Sequence, residues 1–182
     1  PIVNAGHLGS YADTRGTGNL VLDNVTLTNH DGTASGVIDA FAGLTLLDGT
    51  SITGGKLNLY AGGTLTFANA TLALGDFDAN GNRTSLGTLA LDGAATVLAD
   101  KTARVTAATT VGTTGSLTLQ GESSGHTAAT LALGTDATLT NRGTVNLGSG
   151  AAITGALLDN FGTVNLTSGL VHLDNIANGP GG

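Results

Sequence analysis

The chain contains no cysteine, no tryptophan and no methionine, and only 2 prolines among its 182 residues. Without cysteine there is no disulfide framework and no thiolate metal site. The same absence suits export through a narrow outer-membrane pore, where a premature disulfide would jam the chain. Aromatic residues make up 3% and charged residues 10%, against roughly 25% charged in an ordinary globular domain. A thick core leans on Phe, Tyr, Trp and Met; here the apolar content is Leu, Val, Ile and Ala, which fits a thin core of stacked aliphatic rows. The six Lys and Arg are scattered singly, Glu122 is the sole Glu, and the net charge is −7. That leaves no basic stripe for nucleic acid or an anionic membrane surface. No run reaches the ~18 apolar residues of a membrane helix, so this segment is not expected to insert into a bilayer. Low charge with 40% apolar residues also argues against disorder. No signal peptide is visible and the chain begins with Pro1 rather than Met, which reads as a mature product or an excised segment.

What is present is repetition. A small residue or Gly, often followed by Thr, precedes apolar–small–apolar in Gly43-Leu44-Thr45-Leu46, Gly63-Thr64-Leu65-Thr66-Phe67, Gly87-Thr88-Leu89-Ala90-Leu91 and Gly115-Ser116-Leu117-Thr118-Leu119. Near the C-terminus Gly143-Thr144-Val145-Asn146-Leu147 returns almost at once as Gly162-Thr163-Val164-Asn165-Leu166. Self-similarity on a scale of roughly 20 to 50 residues marks a solenoid or repeat array. The triplets alternate with the period-2 signature of strands, each about 3 to 5 residues long. Successive triplets often follow one another closely, as at Leu57, Leu65 and Leu72. Gly, Asn, Asp, Ser and Thr between them supply turns. No stretch sustains a helical period, so essentially no helix is expected.

Three such strands per turn make a coil of roughly 20 to 24 residues, a common solenoid repeat length. The steps from Val145 to Val164 and from Leu65 to Leu89 match it. The expected fold is therefore all-β, a right-handed parallel β-helix of about 8–9 coils. At ~4.8 Å per coil it would be a rod about 40 Å long. Outer residues of each triplet point inward and stack; the middle ones, such as Thr45, Asn58, Thr66, Ala73, Thr118, Asn146 and Asn165, point outward. One solenoid domain is expected over 1–174, with 1–16 an irregular N-terminal cap or a continuation of the helix. Residues 175–182, ending Gly179-Pro180-Gly181-Gly182, read as a Gly-rich tail or linker. No amphipathic helix or charged edge strand caps either end, although natural solenoids carry caps.

The phrases Gly-Thr-Val-Asn-Leu, Leu20-Val21-Leu22-Asp23-Asn24-Val25-Thr26-Leu27 and Leu46-Leu47-Asp48-Gly49-Thr50-Ser51-Ile52-Thr53-Gly54-Gly55 resemble the passenger repeats of Gram-negative autotransporter and filamentous-haemagglutinin-like surface adhesins. The resemblance covers most of the chain and is diffuse, resting on composition and repeated phrases. It implies a right-handed parallel β-helix, outer-membrane secretion to the cell surface, and roles in adhesion, aggregation or biofilm matrix. It supplies no catalytic motif.

The sharpest local motif is Asp76-Phe77-Asp78-Ala79-Asn80-Gly81-Asn82, which has the first half of a calcium loop: oxygen ligands at positions 1, 3 and 5, then Gly. Position 12 is Gly87, where an EF-hand needs a bidentate Glu, so the second half fails. Two readings stay open, an Asx-rich turn on an insertion loop and a calcium loop. In the second, Asp76, Asp78 and Asn80 give side-chain ligands and Asn82 a backbone one. Calcium is the one ion the chain offers a loop for, and no cofactor is required. His7, His30, His126 and His172 stand far apart, none with a second His or a Cys at i+2 to i+4. Gly-x-Ser-x-Gly is absent, so the hydrolase elbow has no support. Most Asp residues sit beside Gly or Asn at turn positions, and with few aromatics for sugar rings to stack on, a polysaccharide-active β-helix enzyme is the remotest reading. Regular Thr-x-Thr rows of an ice-binding solenoid are not evident, because most triplets carry one outward Thr.

These readings make the expected function structural rather than enzymatic. The chain is expected to be a segment of a secreted bacterial surface adhesin mediating cell–cell or matrix contact. The alternative is a subunit of an extracellular filament, joined head to tail through uncapped coil ends. Expected partners are other copies, neighbouring segments of a longer chain, and host or matrix glycans and proteins.

Overall fold

The computed structural model describes residues 2–11 and 18–179. They hold 21 strands and no helix, and every strand pairing is parallel. The strands climb three faces in rotation. The first face carries Ile2–Val3, Thr26–Thr28, Ser51–Thr53, Thr71–Ala73, Thr102–Thr106 and Thr130–Leu133; the second carries His7–Ser10, Val37–Ala40, Lys56–Leu59, Thr88–Leu91, Ala108–Val111 and Thr138–Asn141. Near the C-terminus Ala152–Asn160 and His172–Asn178 each run round the corner and serve both faces, which joins them into one 14-stranded sheet. The third face is a separate 7-stranded sheet of Asn19–Leu22, Gly43–Leu46, Thr64–Phe67, Ala94–Val97, Ser116–Leu119, Thr144–Leu147 and Thr163–Leu166. This is a parallel β-helix. Among the described residues the eighth coil has two sides, those made by His172–Asn178.

Alternation builds the core. In the third-face strands the second and fourth residues are buried while the first and third look outward. Leu44, Leu65, Ala95, Leu117, Val145 and Val164 form one inward column, and Leu46, Phe67, Val97, Leu119, Leu147 and Leu166 the next. Like stacks on like, so a core one side chain thick is continuous along the rod. The two Gly-Thr-Val-Asn-Leu phrases lie in register, Thr144 on Thr163 through Leu147 on Leu166. Coil length varies more than the repeated phrases suggest. Leu65 and Leu89 do not stack; Leu65 pairs with Ala95 on the third face, and Leu89 pairs with Leu57 on the second. The loop between Thr71–Ala73 and Thr88–Leu91 accounts for it. It lengthens its coil well beyond the others, so that Leu72 shares a register with a residue as distant as Val105.

The corner after the third face bends through a left-handed residue in coil after coil: Asn24 (φ 51°), Asn69 (51°) and Asp100 (61°), with Gly49, Gly150 and Gly169 at the same corner. Asn, Asp and Gly are the residues that tolerate this conformation. At the corner after the second face an asparagine ladder takes over from apolar residues, with Asn141 and Asn160 buried and Asn178 exposed. Asn141 Nδ2 donates to Asn160 Oδ1 at 2.7 Å, and Asn160 Nδ2 to Asn178 Oδ1 at 3.1 Å. The ladder carries the last coil through residues 175–178, which pair with residues 157–160. Those residues were expected to begin the tail; they belong to the solenoid because their Asn and Ile continue its columns. Residues 180–182 of that tail, and 1 and 12–16 of the expected N-terminal cap, lie outside the described residues. Ile2–Val3 and His7–Ser10, by contrast, are paired strands of the helix.

One core position is mismatched. Thr109 sits in the second-face column between Leu89 and Leu139, and its buried hydroxyl has no partner. Desolvating an unpaired hydroxyl costs free energy that a methyl of the same shape does not. Thr109→Val is therefore expected to stabilise the fold by about 1–2 kcal/mol, read as a rise in the denaturant midpoint; an unchanged or lower midpoint would refute it.

Candidate functional site

Two loops break the smooth corner between the first and second faces. Residues 30–36 leave one coil and residues 74–87 leave the coil two above. In the first, Asp31 Oδ1 accepts the Thr33 and Ala34 amides at 2.8 and 2.7 Å and the Thr33 hydroxyl at 2.7 Å. In the second, the Asp78 carboxylate accepts the Asn80 and Asn82 amides, each at 2.9 Å, and the Asn82 side-chain amide at 3.1 Å. These are Asx turns, in which a short carboxylate replaces the missing ladder bonds. The loops lock together. The His30 ring stacks on Phe77 with centroids 4.8 Å apart. Asp76 takes hydroxyl bonds from Ser35 of one loop and, at 2.7 Å, Ser85 of the other. Between them lies a cleft of about 350 Å³ floored by Gly36, Gly55, Gly75 and Gly87 and edged by Ser35, Lys56, Asp76 and Ser85.

The four residues expected to form a calcium loop thus divide. Asp78, Asn80 and Asn82 are held together by hydrogen bonds, whereas Asp76 turns to Ser35 and Ser85. Among the described residues no three His, Cys, Asp or Glu side chains gather as a metal site would need. A cation here would have to compete with donors already on both carboxylates. Adding calcium to about 1 mM, a concentration suited to weak extracellular sites, is expected to leave the melting temperature unchanged. An upward shift abolished in Asp78→Asn would give the loop its ion.

Three of the four histidines have carboxylate partners, two of them far away in sequence, while the buried His30 Nδ1 has none. His7 Nδ1 lies 3.1 Å from Asp39 Oδ2, and His172 Nε2 lies 2.8 Å from Asp174 Oδ1. His126 Nδ1 pairs with Asp100. Lys101 bridges two coils to Asp48 at 2.9 Å. Hydrogen bonds to these carboxylates favour their charged forms. The His126 contact, with the Thr127 amide and hydroxyl, lowers Asp100 to about 2. The Thr33 hydroxyl, with the Ala34 and Thr33 amides, lowers Asp31 to about 2. Asp48, through Lys101, and Asp76, through Ser35 and Ser85, are lowered too. A carboxylate whose pKa is depressed on folding stabilises the fold above its unfolded value of 3.8, and that contribution is lost as pH falls through the folded value. The melting temperature is expected to hold flat down to about pH 5 and fall between about pH 4 and 2. Asp100→Asn should make that fall shallower; an equally steep fall in the variant would refute the assignment.

A second cluster lies on the outer surface of the second face. Tyr11, Phe41 and Tyr60 each follow a second-face strand in successive coils, and their rings stack. Tyr11 and Phe41 centroids are 5.1 Å apart, Phe41 and Tyr60 4.1 Å. Gly9 leaves room for the Tyr11 ring, which lies where a Cβ would stand. Beneath the rings is Asp39, 7% exposed, accepting from Asn58 Nδ2 at 2.8 Å and Tyr60 Oη at 3.2 Å besides His7. Burial pushes Asp39 up, but the bonds from Asn58, His7 and Tyr60 outweigh it and hold its pKa below the ordinary value. Burial and then the Asp39 charge raise Tyr60. Composition gave no hint of this platform; only coil stacking brings residues 11, 41 and 60 together.

Comparison with family models, with curated proteins and with solved structures found no match to this chain.

Proposed function

We propose that the chain is a structural and interaction segment of a secreted bacterial surface adhesin, a stiff rod whose flat sides meet other cells, matrix or like molecules. The observation that supports this is the outer surface of the third face. Its outward positions, in coil order, are Asn19 and Val21, Gly43 and Thr45, Thr64 and Thr66, Ala94 and Thr96, Ser116 and Thr118, Thr144 and Asn146, Thr163 and Asn165. No charged side chain interrupts these two ranks. Asn165 Nδ2 donates to Asn146 Oδ1 at 2.9 Å, and Asn146 Nδ2 to Thr118 Oγ1 at 3.3 Å, so part of the rank is ordered by its own ladder. An uncharged, low-relief surface can approach another surface without electrostatic repulsion, and main-chain ladders on all sides keep it rigid. The extracellular location belongs to the same proposal. Displaying the chain on a non-clumping bacterial host should raise sedimentation by clumping several-fold over an unrelated β-rod of equal length. Equal sedimentation would sink the reading.

The alternative is a filament whose copies join end to end, which would use the C-terminal coil. Leu166 is 57% exposed, Leu170 85% and Ile176 46%, although the first and last continue inward columns. A further coil, whether of a longer chain or of another copy, would cover them. Electron microscopy over a concentration series distinguishes the two: fibres one rod wide favour copies, discrete rods at every concentration exclude them.

A further inference from the structure

The geometry points to a glycan-binding platform on the second face, formed by Tyr11, Phe41 and Tyr60 with Asn58 and His7, whose ligand is a neutral polysaccharide chain. It rests on the adhesive reading above and names a site and a ligand class for it. Three rings on one line is an unusual use of scarce aromatics, since the whole chain has 2 Tyr and 4 Phe. All three remain open to solvent, at 63, 41 and 38%, although a purely structural stack would be driven inward. Phe41 is covered on both ring faces by its neighbours, which fixes the ladder. Among the described residues Tyr11 stacks on Phe41 alone and, 63% exposed, offers apolar ring surface to the C–H face of a pyranose.

The polar groups around the rings converge on one carboxylate, that of Asp39. Asn58 spends one of its two amide N–H groups and Tyr60 its hydroxyl proton on Asp39, and His7 Nδ1 lies 3.1 Å from the same carboxylate. That leaves Asn58 its Oδ1 and second N–H, and Tyr60 its Oη lone pairs, as uncharged acceptors and a donor beside the rings. Uncharged acceptors and a donor suit a ligand rich in hydroxyl groups, and the net charge of −7 opposes anions. A quaternary ammonium ion would need several open ring faces turned towards one point, whereas here the inner faces are stacked against each other. Asp39 is nearly buried with three partners, so it acts as a positioning residue that orients Asn58, Tyr60 and His7. On the other side of the same corner an open groove of about 510 Å³, with Asn19, Thr45, Thr64 and Thr66 among its lining residues, offers further hydroxyls and an amide to a chain that extends past the rings.

The test is saturation-transfer NMR and calorimetry of the intact chain with cellohexaose, chitohexaose and mannohexaose, with polygalacturonate and choline as probes of the excluded chemistries. Saturation of the sugar ring protons is expected with at least one neutral oligosaccharide. Tyr11→Ala should weaken binding about 10-fold or more, as truncating an anchor does, and Tyr11→Phe should retain it. Asn58→Ala should weaken binding several-fold, and Phe161→Ala at the far end of the rod should not change it. Circular dichroism and melting curves establish that each variant is folded. No binding of any neutral oligosaccharide, binding only of polygalacturonate or choline, or binding unaltered in both Tyr11→Ala and Asn58→Ala overturns the proposal. If it fails while displayed rods still clump cells, adhesion uses another surface; if clumping fails while sugars bind at Tyr11, the platform stands and the adhesin reading falls.

Discussion

Replacing Phe67 by alanine is expected to destabilise the fold by about 3–5 kcal/mol, the range for deleting a buried aromatic ring. Phe67 is the largest of the fully buried side chains, 1% exposed, and sits in the third-face column between Leu46 and Val97. A globular core can relax around a missing ring from every direction. Here the neighbours above and below are fixed by parallel ladders, and the core is one side chain thick. The walls cannot close over the gap without breaking strand pairing, so transfer and cavity terms both apply. Denaturant titration should show the midpoint falling with its slope unchanged. Leu166→Ala, in the same column but at the exposed end, should change stability by less than about 0.5 kcal/mol, as expected of a surface position. A loss below about 1 kcal/mol for Phe67→Ala, far under the range for a buried ring, would mean that the coils slide to fill space, contradicting a rigid stack.

The contrast between Phe67 and Leu166 marks what sequence alone conveys. Alternation in Thr64-Leu65-Thr66-Phe67 says which residues point inward, because side-chain direction follows the strand period and nothing else. Identical phrases such as Gly-Thr-Val-Asn-Leu say which residues stack, because only equal positions in successive coils keep like on like. Depth along the rod, which separates Phe67 from Leu166, depends on how many coils lie above, and no local pattern carries that. The same reason hid the surface clusters. Tyr11, Phe41 and Tyr60 each follow a second-face strand, but the intervening chain differs in length from coil to coil, so their alignment requires the corners to be placed first. Loop 74–87 was legible as an insertion from the wide apolar gap after Leu72, and its Asx turns from Asp76 to Asn82. That Asp76 would leave those turns for Ser35, in a much earlier loop, follows only from the closeness of neighbouring coils. The His–Asp pairs are equally non-local, except His172 with Asp174, which alternation places on the same side of one strand. That pair could have been read from spacing.

Gly143→Ala is expected to cost about 3 kcal/mol or more, at the upper end for overpacking, although only one methyl group is added. The glycine of the recurring phrase stands at the corner just before a third-face strand. Gly63, Gly93, Gly115, Gly143 and Gly162 occupy this place in successive coils, and none of them has a positive φ. Their requirement is space. A Cβ on Gly143 would lie 2.2 Å from the Gly112 carbonyl oxygen and 2.4 Å from that of Gly115; on Gly162 it would lie 2.4 Å from the Gly143 oxygen, and on Gly93 2.4 Å from that of Gly63. These oxygens belong to the coil below and are engaged: the Thr144 amide donates to Gly115 O at 3.2 Å and the Gly115 amide to Gly112 O at 2.9 Å. Relieving the clash therefore means lengthening ladder bonds in two coils, because backbone cannot swing aside as a side chain can. Gly62→Ala isolates the other effect. Gly62 has φ 85° with nothing within 4 Å of its Cβ position, so alanine there meets backbone strain alone, about 1–2 kcal/mol. Thermal or denaturant unfolding of both variants should rank Gly143→Ala clearly below Gly62→Ala. The reverse order would mean that left-handed turns, rather than close approach of successive coils, are what keep glycine at the head of each phrase.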